Sequence, residues 1–235
     1  TVGRGIRPGT ICIFDTTLPV GTTRAQLAPR LESGGLKLGT DFSVAFSPER
    51  LLMGRVIEDL KKYPKLVGGV DAEGGPRAAA FYRAVFGEDA NVRVLANAET
   101  AELTKLAEGA YRDLNIALAN ELAQVADAYG IDIAEVTTAA NSQPYSHIHT
   151  PGTGVGGHCI PVYPRFYLST DPDARLPAAS RAVNDAMPSY GVDRLGLAAD
   201  LFQRVFPAVI HRRGDRHRRW QEGLHLIETE TVAFQ

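Results

Sequence analysis

The sequence predicts an α/β protein, because short apolar runs rich in β-branched residues alternate with stretches of helical spacing over the first hundred residues. A second observation is one long helical stretch over residues 98–129, interrupted by a glycine at only one position. The composition agrees with this class. Of 235 residues, 44% are hydrophobic and 22% charged, which is typical of globular proteins and excludes a disordered chain or a coiled-coil rod.

Four strands are predicted, each a short apolar run bounded by turn-forming residues. Two helices are predicted between them from apolar residues at steps of three and four. The strands cover residues 10–14, 41–46, 65–70 and 91–95, and the helices cover residues 24–31 and 76–86.

The long helix has a signal at each end. Asn97 is a favourable N-cap, and Gly130 is a plausible C-cap. A helix of this length spans about 46 Å at 1.5 Å per residue, so it can bridge two domains or pair with a copy of itself. Its apolar stripe comprises Leu103, Leu106, Ala110, Leu114, Ala117, Leu118, Leu122 and Val125.

A loop rich in turn formers, residues 141–164, follows a short predicted helix at 132–140. Further helices are predicted at 165–168 and 177–197, with Pro188 interrupting the second. Residues 152–157 satisfy the glycine pattern of a dinucleotide fingerprint, but no buried strand precedes them and prolines follow. We therefore reject the fingerprint and expect these glycines to let backbone amides approach a ligand or to form a tight loop.

Charge and cysteine usage exclude several classes of protein. The net charge of -2 gives no electrostatic case for a nucleic acid or an acidic membrane as partner. No apolar run approaches the roughly 18 residues of a membrane span, and the polar first ten residues do not predict a signal peptide. Two cysteines exclude a disulfide scaffold and favour a reducing, cytoplasmic setting. No metal site is predicted.

The character of the sequence changes after about residue 198. Residues 211–219 contain five arginines and two histidines. Three interpretations stay open: a solvated charged tail, a nucleic-acid patch, or a shifted reading frame or junction with unrelated sequence.

Three residues are candidates for chemistry. Cys159 follows His158 in the glycine loop, where a thiol beside loop amides could be a nucleophile, although a packed structural thiol is the alternative. Lys105 lies on the long helix off its apolar stripe, and a solvated surface lysine is the alternative. Glu49 follows a strand, where α/β proteins place functional groups, and a surface carboxylate is the alternative.

Several ordered motifs resemble the UDP-glucose/GDP-mannose dehydrogenase family over residues 5–197. They are residues 16–23, 47–50, 65–69, 101–106, 115–123 and 154–161. Within that family the chain is most similar to the branch that oxidises UDP-N-acetyl-mannosamine. The family oxidises the C6 alcohol of a nucleotide sugar to a carboxylate with two NAD⁺ in succession.

The resemblance implies an architecture and partners. Residues 1–97 would form the back half of a Rossmann-type NAD-binding domain, and residues 98–199 an all-helical central dimerisation domain with the catalytic cysteine loop. Residues 200–235 remain a tail of unclear origin. NAD is the implied cofactor, a UDP-sugar the substrate, and a homodimer through the long helix the assembly. The glycine fingerprint and the second α/β domain of the family are missing, so we expect little or no activity from the chain alone.

The resemblance also implies roles for individual residues. Cys159 would be the nucleophile, Lys105 would stabilise the oxyanion, and Glu49 would handle protons and water. Thr17 and Glu49 would contact the cofactor. Substrate-contacting positions would be Arg50, Leu51, Gly154, Gly156 and Gly157.

Two positions depart from the family pattern. Gly109 stands where the family has asparagine, four residues after the lysine, and Tyr163 where it has aspartate, four residues after the cysteine. Both changes are expected to impair the positioning of sugar and water. Two alternative functions therefore stay open: a non-catalytic remnant or dimerisation module, and a 3-hydroxyacid dehydrogenase of the 6-phosphogluconate dehydrogenase type, which does not need the cysteine.

Overall fold

A computed structural model describes residues 2–51, 54–56, 59, 62–155, 157 and 159–205, with the backbone alone over 197–205. The chain divides into two compact units, Thr1–Asp185 and Ala186–Gln235. Residues 206–235, which include the Arg- and His-rich run, lie outside the described residues. Within the described ranges, none of the helices is both long and apolar enough to cross a membrane.

The described strands form one sheet in the order in which they occur along the chain: β1 (Ile11–Phe14), β2 (Ser43–Phe46), β3 (Lys65–Gly69) and β4 (Val92–Leu95). The outer pairs, β1 with β2 and β3 with β4, are parallel, whereas β2 and β3 are antiparallel. Each strand lies inside a predicted run, so the four predicted strands are confirmed. Because β1 and β2 are parallel, the loops that follow them leave the same edge of the sheet.

Two apolar clusters flank the central strand β2. Val44 and Phe46 pack in one cluster with Phe42, whereas Ala45 packs in the other with Val67. This alternation is the period-two geometry of a strand that is buried on both faces. A π-helical turn at Thr23–Leu27 continues into α1 (Ala28–Glu32), and α2 spans Gly74–Phe86. These helices confirm the two predicted between the strands.

The long helix, α3 (Ala98–Tyr129), has the predicted ends. The Asn97 side chain accepts a hydrogen bond from the Thr100 amide at 2.8 Å, and Gly130 has a left-handed φ of 66°. The apolar stripe is divided: Leu106 is buried, whereas Leu118 and Val125 are exposed.

Three more helices follow, α4 (Ile133–Ala140), α5 (Tyr163–Thr170) and α6 (Arg175–Val205). The predicted interruption at Pro188 is wrong, because α6 continues through it. A proline removes one backbone hydrogen bond and can kink a helix without ending it. Helix α5 begins two residues earlier than predicted because Pro164 occupies its first turn, where proline needs no amide partner.

Candidate active site

The loop after β1 carries Thr17 and is anchored by a buried carboxylate. Glu102, on the first turns of α3, accepts hydrogen bonds from the backbone amides of Gly21 (2.6 Å) and Thr23 (2.8 Å) and from the Thr23 hydroxyl (2.6 Å). Glu102 is completely buried. A buried charge of this kind is stable only where donors surround it, so these bonds fix the Thr17 loop against α3.

Glu49 leaves the sheet at the same edge, in the loop after β2. Its amide donates to the Asp15 carbonyl at 3.4 Å, which joins this loop to the one after β1. Its Oε1 accepts from the amides of Arg50 (2.6 Å) and Leu51 (2.9 Å), and its Oε2 lies 3.6 Å from the Lys65 ammonium. The carboxylate is therefore held by local donors, with about half of its side-chain surface exposed.

Lys105 is half-buried on α3 and faces these loops. Its ammonium donates a hydrogen bond to the Glu49 carbonyl oxygen. Burial lowers the pKa of Lys105, while the nearby acidic groups Glu108, Cys159 and Glu49 oppose that shift. The same ammonium lies 5.3 Å from the centre of the Tyr163 ring. Lys105 is thus a cation in a partly desolvated position, which differs from the surface lysine that the sequence alone left open.

Arg50 lies beside this lysine. Its guanidinium pairs with Glu108 at 2.6 Å and donates to the Pro64 carbonyl at 3.3 Å. Glu108 is one turn after Lys105 on α3, so the ion pair ties the β2 loop to the helix. In this structure Arg50 holds the site together, and its predicted contact with substrate stays a prediction.

Cys159 is exposed and lies in the turn directly before α5. Its carbonyl accepts hydrogen bonds from the amides of Val162 (3.2 Å) and Tyr163 (3.0 Å). Its side chain interacts electrostatically with both Lys105 and Tyr163. The other cysteine, Cys12, is half-buried in β1, and burial raises the pKa of its thiol. Cys12 is therefore the less accessible of the two thiols.

Two asparagines of α3 hold the loop that leads to Cys159. The Asn115 side chain accepts from the His149 amide at 2.9 Å and donates to the His147 carbonyl at 2.6 Å. The Asn120 side chain accepts from the Gly152 amide at 2.9 Å. The amide side chains of Asn115 and Asn120 thus pair with backbone groups of the loop that leads to Cys159, and these bonds hold the loop against α3.

Behind these asparagines lies a buried polar network. Asp113 accepts from Arg181 (2.6 Å), Ser180 (2.8 Å) and Asn184 (2.8 Å), and Asn184 in turn accepts from Asn120 (2.9 Å). We use "polar network" for these five residues, Asp113, Asn120, Ser180, Arg181 and Asn184, all of them buried.

Sequence reasoning did not assign Glu102 or the polar network. Asn115 and Asn120 were noted only within a motif, without a role. The missing signal is burial, because a polar residue on a helix gives no sign in the sequence of whether it faces solvent. The sequence does offer one clue for Glu102: it lies three residues before Lys105, so both side chains are on the same face of α3.

The structure brings Glu49, Arg50, Lys105 and Cys159 together with the loop that carries Thr17. Gly154 and Gly157 are exposed in the cysteine loop, and Gly157 has a φ of 82°, which favours glycine. Gly156 and His158 lie outside the described residues. Leu51 donates its amide to Glu49, and its predicted contact with substrate is not tested.

Residues 141–151, which directly precede the glycine pattern, contain no strand, and the next described helix begins at Tyr163. This supports rejection of the dinucleotide fingerprint there. A cofactor fits better at the edge of the sheet where Thr17 and Glu49 follow two parallel strands, because open α/β sheets bind ligands at the carboxyl ends of their strands. Across the described residues, His, Cys, Asp and Glu form no group of three able to hold a metal ion.

Comparison with known proteins gives a consistent picture. Residues 1–86 match the NAD binding domain of the UDP-glucose/GDP-mannose dehydrogenase family, and residues 99–186 match the central domain of that family. A UDP-N-acetyl-D-mannosamine dehydrogenase from Pyrococcus horikoshii is 40% identical over 83% of this chain and 46% of its own length. An NDP-N-acetyl-D-galactosaminuronic acid dehydrogenase from Ralstonia nicotianae is 37% identical over 84% and 48%.

Solved structures agree with the sequence matches. The structure of the UDP-D-ManNAc dehydrogenase from Pyrococcus horikoshii superimposes with a TM-score of 0.79 at 38% identity, covering 87% of this chain and 48% of that one. The chain spans about half the length of the curated relatives it matches.

Proposed function

Because the chain belongs to the UDP-glucose/GDP-mannose dehydrogenase family, we propose that its site oxidises the C6 alcohol of a UDP-sugar to the carboxylate. NAD is the cofactor of this family. We propose UDP-N-acetyl-mannosamine as the sugar nucleotide. Two relatives support an N-acetylated hexose, since one is named for N-acetyl-D-mannosamine and the other for N-acetyl-D-galactosaminuronic acid.

The observation that carries the proposal is the convergence of an exposed thiol, a partly desolvated ammonium and a carboxylate. Cys159 and Lys105 interact, and Lys105 donates to the backbone of Glu49. In the proposed reaction the Cys159 thiolate adds to the C6 aldehyde and forms a thiohemiacetal, which keeps the reactive aldehyde bound between two oxidations. NAD⁺, when bound, would supply the two-electron oxidant for each oxidation, first of the alcohol to the aldehyde and then of the thiohemiacetal to a thioester.

The remaining residues have separable tasks. The Lys105 ammonium stabilises the negative charge that develops on the C6 oxygen when sulfur adds and when water attacks the thioester. The Glu49 carboxylate accepts a proton from that attacking water, and the thiol of Cys159 is released. Thr17 and Glu49 would hold the cofactor at the edge of the sheet, on the loops that Glu102 and the Asp15 carbonyl fix in place.

Thiol labelling tests the proposal directly. We expect iodoacetamide to modify Cys159 much faster than half-buried Cys12, and UDP-N-acetyl-mannosamine with NAD⁺ to slow that modification. Peptide mass spectrometry measures both rates in one sample. Lys105→Met should slow labelling of Cys159 because a nearby cation favours the thiolate, whereas the matched change Lys37→Met at an exposed site should not. Labelling that no UDP-sugar slows would favour the non-catalytic alternative.

NAD⁺ reduction in the presence of UDP-N-acetyl-mannosamine tests the role of the cysteine. We expect Cys159→Ala to form no uronic acid and to reduce at most one NAD⁺ per sugar, because the thiol acts only after the aldehyde has formed. Uronic acid formed by Cys159→Ala would contradict the thioester route, and NAD⁺ reduction with a 3-hydroxy acid in this variant would favour a 3-hydroxyacid dehydrogenase. Comparison with UDP-N-acetyl-galactosamine as substrate would separate the two sugars suggested by the relatives.

We also propose a homodimer through α3 and a cytoplasmic setting. Exposed apolar residues on α3 support the dimer, among them Tyr111, Leu118 and Val125 at steps of seven. The two free cysteines support a reducing compartment. Sedimentation equilibrium should show a dimer that Leu118→Glu weakens, while the exposed control Glu121→Gln leaves it intact. A monomer at micromolar concentration would contradict the assembly.

A further inference from the structure

Resting on the proposed function, we infer that Tyr163 is a positioning residue of the thiol site: its ring takes the space that Gly109 leaves empty, and its hydroxyl hydrogen-bonds the sulfur of Cys159. The two departures from the family pattern are then one coupled change, in which the glycine makes room for the tyrosine. The consequence is a thiol whose reactivity depends on a phenol.

The packing of Tyr163 against α3 requires glycine at position 109. A Cβ atom placed on Gly109 would lie 2.9 Å from both Cβ and Cδ2 of Tyr163. Contacts this short do not occur between carbon atoms in folded proteins, because the repulsion exceeds what packing can absorb. Gly109 is buried in the middle of α3, where glycine otherwise costs helix stability. The space that the Tyr163 ring needs explains why glycine stands at this position despite that cost.

The first turn of α5 fixes where the ring stands. Tyr163 is the first residue of α5, and its amide donates to the Cys159 carbonyl at 3.0 Å. The tyrosine and the cysteine are therefore held one turn apart. The Lys105 ammonium lies 5.3 Å from the ring centre, within the range of a cation–π interaction.

The hydroxyl of Tyr163 lies near the cysteine turn on one hand and the β1 loop on the other. The side chains of Cys159 and Thr17 are close enough to it to influence its pKa. Burial, and then the contact with Cys159, raise the pKa of Tyr163, whereas Thr17 lowers it. The phenol therefore keeps its proton near neutral pH, so it can donate to a thiolate.

Lys105 is a charged neighbour of both residues, and every variant below retains it. The charges that act on Lys105 itself are Glu108 of α3 and Glu49 and Arg50 of the loop after β2. His158, the neighbour of Cys159 in sequence, lies outside the described residues. Tyr163→Phe removes only the phenol oxygen. A difference in Cys159 reactivity between this variant and the wild type therefore reports on that oxygen.

The first test measures the pH profile of Cys159 alkylation in Tyr163→Phe. Loss of one hydrogen bond to the thiolate should raise the midpoint by about 0.5 to 1 unit and slow labelling at neutral pH roughly three- to tenfold. The control is Tyr167→Phe, which removes the phenol oxygen of another tyrosine one turn further along α5. It should leave the pH profile of Cys159 alkylation unchanged. An unchanged midpoint in Tyr163→Phe, or a downward shift, would overturn the inference.

The second test is a double-mutant cycle on the packing. Gly109→Ala should lower the melting temperature in the wild-type background, because its methyl group meets the tyrosine ring. In a Tyr163→Ala background the same change should raise the melting temperature, since alanine is the better helix former. An effect of the same sign in both backgrounds would show that the two residues are not matched.

Neither test needs substrate, so the two proposals fail separately. If Cys159 labelling is slowed by UDP-sugar but Tyr163→Phe behaves as wild type, the dehydrogenase proposal survives and the tyrosine inference fails. If the Tyr163→Phe profile shifts while no UDP-sugar protects the thiol, the inference about the sulfur stands without that substrate.

Discussion

The sheet and the helices around α3 are stabilised by different interactions. Around the sheet, Phe42, Val44 and Phe46 form an apolar core with little or no exposed surface. Between α3 and the first turns of α6, the buried hydrogen bonds include those of the polar network, centred on Asp113. An apolar core depends mainly on volume and pattern, whereas a polar network depends on the identity and geometry of every member.

The difference matters for the site because each region positions different groups. The sheet presents Thr17 and Glu49 on loops that follow buried strands. The polar network, through Asn120, positions the loop that carries Cys159. Changes in the polar network should therefore act on the thiol, and conservative changes in the apolar core should not.

The largest effect is expected from Asp113→Ala. This change leaves the Arg181 guanidinium, whose side chain is only 9% exposed, without its buried carboxylate, although Asp185 still pairs with it. Breaking a buried pair costs about 3 kcal/mol or more. Urea unfolding measures the loss. The surface control Arg165→Ala, which removes a pair to Asp185 at 3.7 Å, should cost less than about 1 kcal/mol. Equal costs would contradict the contrast between regions.

A smaller effect is expected from Glu102→Gln, at the junction of the two regions. The amide nitrogen of glutamine cannot accept, so it would face a donor at Gly21 or Thr23. We expect a loss of about 1.5–3 kcal/mol, as for other hydrogen bonds to charged groups. Hydrogen exchange should show faster exchange of the Thr23 amide, with the exposed change Glu121→Gln as control. An unchanged Thr23 amide would mean that Glu102 does not hold the loop.

The apolar core should tolerate an exchange of similar volume. Leu66→Met in β3 should cost less than about 1.5 kcal/mol, because the side chains have similar volumes and methionine can adapt its shape. Chemical denaturation measures the cost, and Cys159 labelling should stay at the wild-type rate. If labelling instead changed as much as it does in Asp113→Ala, the sheet and the thiol would be coupled, and the separation of the two regions would be wrong.

The smallest effect concerns the exposed pair of Arg24 and Glu99, which are 2.5 Å apart with side chains 48% and 27% exposed. The hydrogen bond from Arg24 lowers the pKa of Glu99 from its usual value of 4.5. A lowered pKa stabilises the fold above the unfolded value and loses that contribution as pH falls through the folded value. Glu99→Gln should therefore cost about 0.2–1 kcal/mol at pH 7 and less below pH 4.

Unfolding at both pH values checks the sign of this effect. The reverse trend, with a larger cost in acid, would show that the Glu99 carboxylate is not stabilised by its partner.

The sequence predicted the sheet well because its signals are local. Apolar runs between turn formers placed all four strands, and Asn97 and Gly130 placed both ends of α3. The interruption predicted at Pro188 was wrong because that prediction rested on the low helix propensity of one residue, whereas α6 continues through it. The polar network was not predicted, because nothing local distinguishes a buried Asp113 from an exposed aspartate on the same helix.

In the candidate site, too, residues within local motifs were predicted and contacts between distant residues were not. Glu49, Lys105 and Cys159 were predicted from motifs, and the structure brings them together. The relation between Gly109 and Tyr163 could not be found from sequence, because 54 positions separate two residues that pack against each other. Each was seen only as a separate departure from a pattern.

Helix α3 has a further consequence for how such a chain can change. Between Glu102 and Asn120 it spans about 27 Å at 1.5 Å per residue, and along that distance it anchors the β1 loop, the lysine, the tyrosine and the cysteine loop. Inserting or deleting one residue within this span would rotate everything beyond it by about 100° and separate one set of anchors from the other. This helix can therefore tolerate substitutions, but the number of residues between Glu102 and Asn120 must stay constant.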